Sequence, residues 1–448
     1  MKTMIEESKS LPVFGEYNVV IAGGGPSGIA AAVSAARHGA RTLLIEHYGF
    51  LGGMGTAGGV TNFAGLYGRH HGEMQQMVHG VVDDLLSRLE ALGGLNQPQD
   101  GMQGRIRVRS YDVSAYKCAA DQMLDAAGVQ CLFHASAAGV LMEGERIAAL
   151  VAETKSGRLA IRGGVFIDCT GDGDVAAHAG VPFVVGDGAG SGLFPTTMFR
   201  VGQVDPEPAL AAIGEFSAIN NFMERAHKQH PERYRFPREG AILRPQINPT
   251  EWRANVTQLR NAEGGSMNGV DARQLSEGER EGRRQIVNYL RFLREQVPGF
   301  EKARIVDIAP QVGIRETRRM EGVYALRGED ILESARFDDS IGINTWPMEL
   351  HAEGRIDWRF PTNSDRPFND LPWRMLVPRK VQNLLVAGRC ASMTHEGQSA
   401  ARVSGGCFVM GQAAGTAAAQ AGSDPMQAID VAQLRRSLVA DGVRIQIE

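Results

Sequence analysis

The sequence predicts an α/β fold: a parallel sheet carrying a β-meander, interrupted by a second, α+β domain. Three observations predict it. An apolar run, Val19-Val20-Ile21-Ala22, leads at once into Gly23-Gly24-Gly25-Pro26-Ser27-Gly28 and then into the alanine-rich segment Ile29 to Arg37. Three short hydrophobic stretches follow, Gly139 to Met142, Ile147 to Thr154 and Leu159 to Arg162, parted by turn residues at Glu143-Gly144 and Lys155-Ser156-Gly157. A further strand-like run, Asn383 to Arg389, returns only after the long stretch from Gly186 to Trp373, where prolines and charged residues are commoner.

The first unit has a mechanical reading. Val19 to Ala22 is too short for a helix and suits a buried strand. Gly23 permits a tight turn, Gly25 lets a pyrophosphate approach the backbone, and Gly28 lets the following helix pack on the strand. Pro26 and Ser27 open that helix, whose N-terminal N–H groups and partial positive charge face the phosphates. A second strand, Thr42 to Ile45, ends in Glu46, 23 positions after Gly23. An acid there accepts hydrogen bonds from ribose hydroxyls and disfavours a 2′-phosphate, so the ligand is FAD or NAD and not NADP. A lone GxGxxG among 55 glycines is weak evidence, whereas strand, helix, strand and acid in register make it specific.

The remaining elements follow in order. Gly49 to Gly59 is a glycine-rich loop leaving the carboxyl end of a strand, where open α/β sheets bind ligands. Glu73 to Leu92 carries apolar residues at helical spacing (Met77, Val81, Leu85, Leu89) and predicts a surface helix. Arg105 to Ser110 reads as a short strand. Tyr111 to Ala127 reads as a helix capped by Asp112 or Ser114 and stopped by Gly128. Val129 to His134 is then a strand, the meander follows, and Val165 to Cys169 is a buried strand ending in Thr170-Gly171-Asp172-Gly173-Asp174. Glu277 to Val297 is a polar-faced helix, Pro310 to Arg319 a basic stretch, and Ala400 to Ala421 a helix of small residues. The domain reading is 1–185 and 376–448 for the nucleotide-binding domain and 186–375 for a substrate or cap domain.

Composition narrows the class. The formal net charge of −4 leaves no basic stripe for nucleic acid. Five widely spaced cysteines without a CxxC pair argue against a disulfide framework, a zinc site or a redox dithiol, and fit a reducing cytoplasm. No apolar run approaches the ~18 residues of a membrane span. The expected partner is a small molecule, a homo-oligomer is left open, and no metal site is expected.

Ile21 to Glu46, Gly49 to Thr56, Ile167 to Asp174 and Val386 to Gly415 together resemble the FAD-dependent oxidoreductases related to fumarate reductase and succinate dehydrogenase flavoproteins, within the glutathione-reductase-like group. Gly313 to Arg319 with Tyr324 to Asp330 resembles a bacterial branch of that group. The resemblance implies FAD, held non-covalently because His47 lies by the ribose acid, away from the ring. It implies that Gly23, Gly25, Gly28 and Glu46 hold the ADP half, that Gly52, Gly53 and Thr56 run along the pyrophosphate and ribityl, and that Ala137 meets the adenine with Gly171 and Asp172 close by. Gly388-Arg389 stands where relatives carry Gly-Asp, so backbone contact is expected there. The helix after Val403 is expected to aim N–H groups at Gly405, Gly406 and Cys407 toward the flavin.

For the chemistry, the resemblance singles out three residues. His395 is a base or acid, or a helix cap; Arg402 binds a carboxylate, or pairs with Glu396; Arg315 lies near flavin or substrate, or on a solvated face. Arg200 and His351 are weaker candidates. The expected function is hydride transfer from a small polar, carboxylated substrate to flavin N5, with electrons passed to oxygen, a quinone or a carrier. The alternatives are reduction of an activated double bond, as in fumarate reductases, and a non-redox or tRNA-modifying flavoprotein.

Overall fold

The computed structural model describes residues 4, 10–188, 191–214, 216–445 and 447. The main sheet is built from β1 (Val13–Ala22), β2 (Thr42–Glu46), β3 (Gln130–Phe133), β4 (Ser136–Glu143), β5 (Arg146–Thr154), β6 (Gly157–Asp168) and β7 (Leu384–Val386). Its order is β3-β2-β1-β6-β5-β4, and β7 also pairs with β6. The pairs β1–β2, β2–β3, β1–β6 and β6–β7 are parallel. The meander pairs β4–β5 and β5–β6 are antiparallel.

β6 joins the two halves. Its first half pairs with β5 through Arg162, and its last three residues pair with β7. The sequence reading divides this strand at Gly163-Gly164, but the glycines make no turn. A Cβ on Gly163 would meet Val20 Cγ2 at 2.8 Å, and one on Gly164 would meet the Asn18 carbonyl at 3.0 Å. They serve close approach to β1, so the strand runs through.

Both sheet faces are covered, which is why β1 and β2 read as unbroken apolar runs. Val19, Ile21, Leu44 and Ile167 face a core shared with α1 (Pro26–Arg37), while Val20, Leu43, Ile45 and Phe166 face a second core with Val181 and Leu384. The helix Val113–Ala127 starts where expected. Asp112 caps it by accepting from the Ala115 amide at 2.8 Å, and Gly128 ends it at φ +72°. The expected helix from Glu73 is shorter: Glu73–Gln76 pairs with Tyr67–His70 as a hairpin, and the helix is Val81–Ala91. Gly80, at φ +102°, separates the two.

The expected helix from Ala400 is likewise two, α2 (His395–Ala401) and α3 (Ser404–Gln420), broken at Val403 in extended backbone. α3 lies hard against α1, because Cβ atoms on Gly411 and Gly415 would each come within 2.1 Å of a backbone carbonyl, Ser27 and Ala31 respectively. Gly415→Val is therefore expected to force the helices apart and to cost about 3 kcal/mol or more, read as a lowered midpoint in urea unfolding.

The segment between β6 and β7 builds a separate antiparallel sheet in the order Ile242–Pro245, Trp252–Asn255, Phe199–Gly202, Arg304–Ile308. It has its own core of Phe199, Val201, Trp252, Tyr289 and Phe292, part of it supplied by the helix Ala272–Gln296. Trp252–Asn255 carries Arg253 and Asn255 on alternate positions, so both project to one face.

Candidate active site

β1, β2, β3, β6 and β7 run parallel, so their carboxyl ends share one edge, and a cavity of about 480 Å³ opens there. At its sheet end it is lined by Gly23, Gly25, Pro26, Ser27, Glu46, Gly53, Ala137, Gly171, Asp172 and Arg389. It then runs past Tyr116 and Cys407 to residues of the second sheet and the strand Met348–Ala352.

The glycine turn has the predicted mechanics. Gly23 sits at φ +98°, and a Cβ there would meet the Cys169 carbonyl at 2.4 Å; on Gly28 it would meet the Gly23 carbonyl at 1.8 Å. Gly25 differs. A Cβ there meets nothing nearer than Gly53 Cα at 3.7 Å, so the space beside it is a cradle bounded by two glycine backbones. Glu46 is 4% exposed. Its Oε2 accepts from the Gly24 amide at 2.7 Å and its Oε1 from the Tyr48 amide at 3.0 Å. Burial would raise this carboxyl, but the His47 ring and those two amides hold it below the usual carboxylate range. It stays ionised and oriented, with His47 Nδ1 also 2.8 Å from Oε1, and one acceptor position on Oε2 is left for a ribose hydroxyl.

Several predicted residues have other duties. Gly52, at φ +108°, packs on Thr56, and the Thr56 hydroxyl donates to the Leu51 carbonyl at 2.7 Å, so both close the loop and neither lines the cavity. Gly388, at φ +95°, is glycine because a Cβ would meet Ser27 Oγ at 2.5 Å. Gly405 and Gly406 allow close packing on the Gly65 and Ala401 carbonyls. The Gly405 amide donates to Ala64 and the Cys407 amide to Val403, which corrects the expectation that those amides face the flavin. The Cys407 thiol, on the cavity wall and pushed up to about 12 by burial, donates to the Arg402 carbonyl. The Arg389 side chain acts where only backbone was expected, pairing with Asp172 at 2.9 Å and donating to Thr317 at 3.2 Å.

His395 lies off the cavity. Its Nδ1 is 2.8 Å from Glu316 Oε2, Glu316 also pairs with Arg319 at 2.8 Å, and the helix cap is Thr394. Arg402 makes no ion pair with Glu396 among the described residues; it lines the cavity, and its Nε and Nη2 are buried without a hydrogen-bond partner. Arg315 is buried rather than solvated, donating to the Phe194 carbonyl at 2.6 Å and to Asn255 at 3.2 Å. Arg200 pairs with Glu251 and Asp307 and does not line the cavity.

At the far end of the cavity the structure brings together Arg315, Arg402 and His351, which the sequence reading named singly, with Arg244, Arg253 and Glu349, which it did not name. Arg244, Arg253, Arg315 and Arg402 line it together with one carboxylate, Glu349, whose partner is His351 at 3.1 Å. Burial lowers all four guanidinium groups, Arg253 to about 9. Burial would raise Glu349, but His351, Arg402 and Arg315 bring it down to about 2. Burial and then Arg315 push His351 down to about 3. An ionised carboxylate only accepts, so His351 is neutral with its proton on Nε2 and a lone pair on Nδ1. The signal that could have found this pair is Glu349-Leu350-His351 itself, since alternate strand residues share a face.

Both members of the pair bind fewer protons folded than unfolded, below the unfolded pKa of each. Stability is therefore expected to rise with pH through the window from about 3 to 6.5 and to be lost as acid is added. His351→Gln should flatten that part of the profile, checked by urea unfolding at a series of pH values.

The cavity fits a dinucleotide: a glycine cradle, an oriented acid at its edge, and a buried Tyr116 hydroxyl on its wall with no hydrogen-bond partner among the described residues. A geranylgeranyl bacteriochlorophyll reductase-like protein from Thermoplasma acidophilum is 14% identical, with a TM-score of 0.45 over 95% of this chain and 82% of that one. p-Nitrophenol 4-monooxygenase from Pseudomonas putida is 12% identical, with a TM-score of 0.44 over 94% and 81%. Dihydrolipoyl dehydrogenase from Trypanosoma brucei brucei is 47% identical over 45 residues, 10% of this chain and 9% of that one. The family described as FAD dependent oxidoreductase matches residues 18–438, and the chain belongs to it: it is an FAD-dependent oxidoreductase.

Proposed function

We propose that this enzyme dehydrogenates an organic acid. The observation that carries the reading is the imbalance at the end of the cavity, where among the described residues four arginines meet one carboxylate and Arg402 has buried N–H groups without partners. Unsatisfied buried donors are costly, and an anionic substrate group satisfies them. Bound FAD supplies the two-electron, hydride-accepting centre, and the electrons leave to oxygen, a quinone or a carrier.

The chain's own residues have these proposed roles. Gly23, Gly25, Pro26, Ser27 and Gly53 frame the pyrophosphate, Glu46 the ribose, and Ala137 the adenine. Arg402, Arg253 and Arg315 hold the carboxylate and keep water from competing for it. His351, neutral and oriented by Glu349, accepts at Nδ1 a hydrogen bond from the substrate O–H or N–H that gives up its proton as the hydride leaves the carbon for the flavin. This replaces His395 in that role, since His395 is committed to Glu316. We also propose membership of the glutathione-reductase-like group, with 186–375 as the substrate domain between two parts of the FAD domain, and a small-molecule partner.

Anaerobic titration tests the reading. A panel of organic acids, each paired with its neutral amide, is added to the oxidised holoenzyme while the band near ~450 nm is followed. Bleaching by one acid and not by its amide is expected. Bleaching by an amide as readily as by its acid overturns the arginine assignment. Failure of every acid, with reoxidation of dithionite-reduced enzyme by an unsaturated acid, reverses the direction of electron flow.

A further inference from the structure

We infer that the acid taken by this site carries an apolar, planar body that lies on a wall of tryptophans; this rests on the carboxylate reading above. The arginine-lined cavity has a second chemistry. Trp346, Trp358, Ile106 and Val108 line it as well, and none of them belongs to the nucleotide end. Trp346 is 5% exposed and meets Trp358 edge-on at 5.9 Å. Trp358 in turn stacks on Phe360 at 6.2 Å, and the Arg105 guanidinium lies 3.4 Å over Phe360. This chain of ring contacts places Trp358, half-buried, at the cavity.

The wall is continuous with the anion site. Trp346 Nε1 donates to Glu349 Oε2 at 3.1 Å, so the tryptophan is fixed by the same carboxylate that orients His351. Arg244 ties the two from the other side. Its Nη2 and Ile106 Cγ1 both lie within 3.4 Å of where a Gly101 Cβ would stand, and its side chain makes no hydrogen bond among the described residues. A short hydroxy acid would satisfy the arginines and leave Trp358, Ile106 and Val108 wet. An acid with a ring or other flat apolar body covers both, and excluding water from that wall strengthens each charged contact beside it. The substrate expectation of the sequence is thus amended from small and polar to amphipathic.

The test uses the holoenzyme and three probes: phenylacetate, phenylacetamide and glycolate. Dissociation constants come from flavin difference spectra, and intrinsic tryptophan fluorescence gives a second readout, the chain having four tryptophans. Phenylacetate is expected to bind roughly 10- to 100-fold tighter than glycolate and to change the tryptophan emission. In Trp358→Ala, with FAD content as wild type, that advantage should fall to about threefold or less while glycolate affinity is unchanged. Trp358→Phe should keep most of it, which separates loss of the apolar wall from loss of folding. Equal affinity for phenylacetate and glycolate in the wild type, binding of neither, or an unchanged ratio in Trp358→Ala overturns the inference. Equal binding of phenylacetamide and phenylacetate, with the tryptophan signal kept, instead overturns the carboxylate reading beneath it.

Discussion

Gly25→Val is expected to purify as a folded, colourless protein. Gly25 is the N-cap of α1 with φ −72° and ψ −175°, a backbone conformation open to any residue. Its Cβ would stand 3.7 Å from Gly53 Cα, an ordinary contact, so the polypeptide accommodates the side chain. What the side chain occupies is the cradle between the two glycine backbones, where the pyrophosphate is proposed to lie. Affinity for FAD should fall at least 100-fold, about 2.7 kcal/mol or more. Circular dichroism should match wild-type apoprotein, the proper reference because bound ligand itself raises thermal stability. Gly28→Ala is the contrast: its Cβ would overlap the Gly23 carbonyl at 1.8 Å, so that variant should lose stability in apo and holo forms alike. A yellow Gly25→Val protein with normal flavin content would remove the assignment of this turn.

Arg402→Gln is expected to keep FAD and lose substrate. Removing a buried cation that faces an anionic group commonly costs about 2–5 kcal/mol, so flavin reduction at limiting acid should fall roughly 30- to 5,000-fold. The same change should leave folding stability unharmed or raise it. Arg402 has no carboxylate at ion-pair distance among the described residues and two of its nitrogens have no partner there; burial disfavours its charge, and the more distant Glu349, which favours it, does not make up for that burial. A residue that costs stability and supports turnover is the signature of a functional site. His395→Gln should behave in the opposite sense. It breaks the 2.8 Å pair with Glu316 and leaves that buried carboxylate short of a partner, so stability falls by about 1–3 kcal/mol while flavin reduction stays within about threefold. Stopped-flow reduction and urea unfolding of both variants check the crossover. If His395→Gln abolishes reduction and Arg402→Gln does not, the active site is misplaced.

The nucleotide half was legible because its signals are local. Gly23, Gly25, Gly28 and Glu46 fall within one strand–helix–strand unit, and each acts through its own backbone or the next element. Helix Val113–Ala127 was legible for the same reason, its cap and stop being neighbours in sequence. The errors came from glycine, whose small size serves two ends. At Gly163-Gly164 the sequence suggests a turn, while the structure uses the missing Cβ for close approach to β1; at Gly405 it suggests an amide aimed at the flavin, while that amide donates to Ala64.

What the sequence by itself determined, then, is the α/β class, the parallel unit with its meander, and a dinucleotide, FAD or NAD, as the ligand, since strand periodicity, turn chemistry and the spacing of an acid are short-range properties; FAD in particular was implied by the family resemblance. Only the tertiary structure decided the substrate end. Arg253, Arg315, Glu349 and Arg402 are scattered along the chain and come from different elements, and no local pattern marks them as one group. The same holds for His395 and His351: in sequence the first stands beside the flavin motif and the second in no motif at all. Folding spends His395 on a hydrogen bond to buried Glu316 and leaves His351 on the cavity wall, because which polar groups are buried together depends on packing between distant segments.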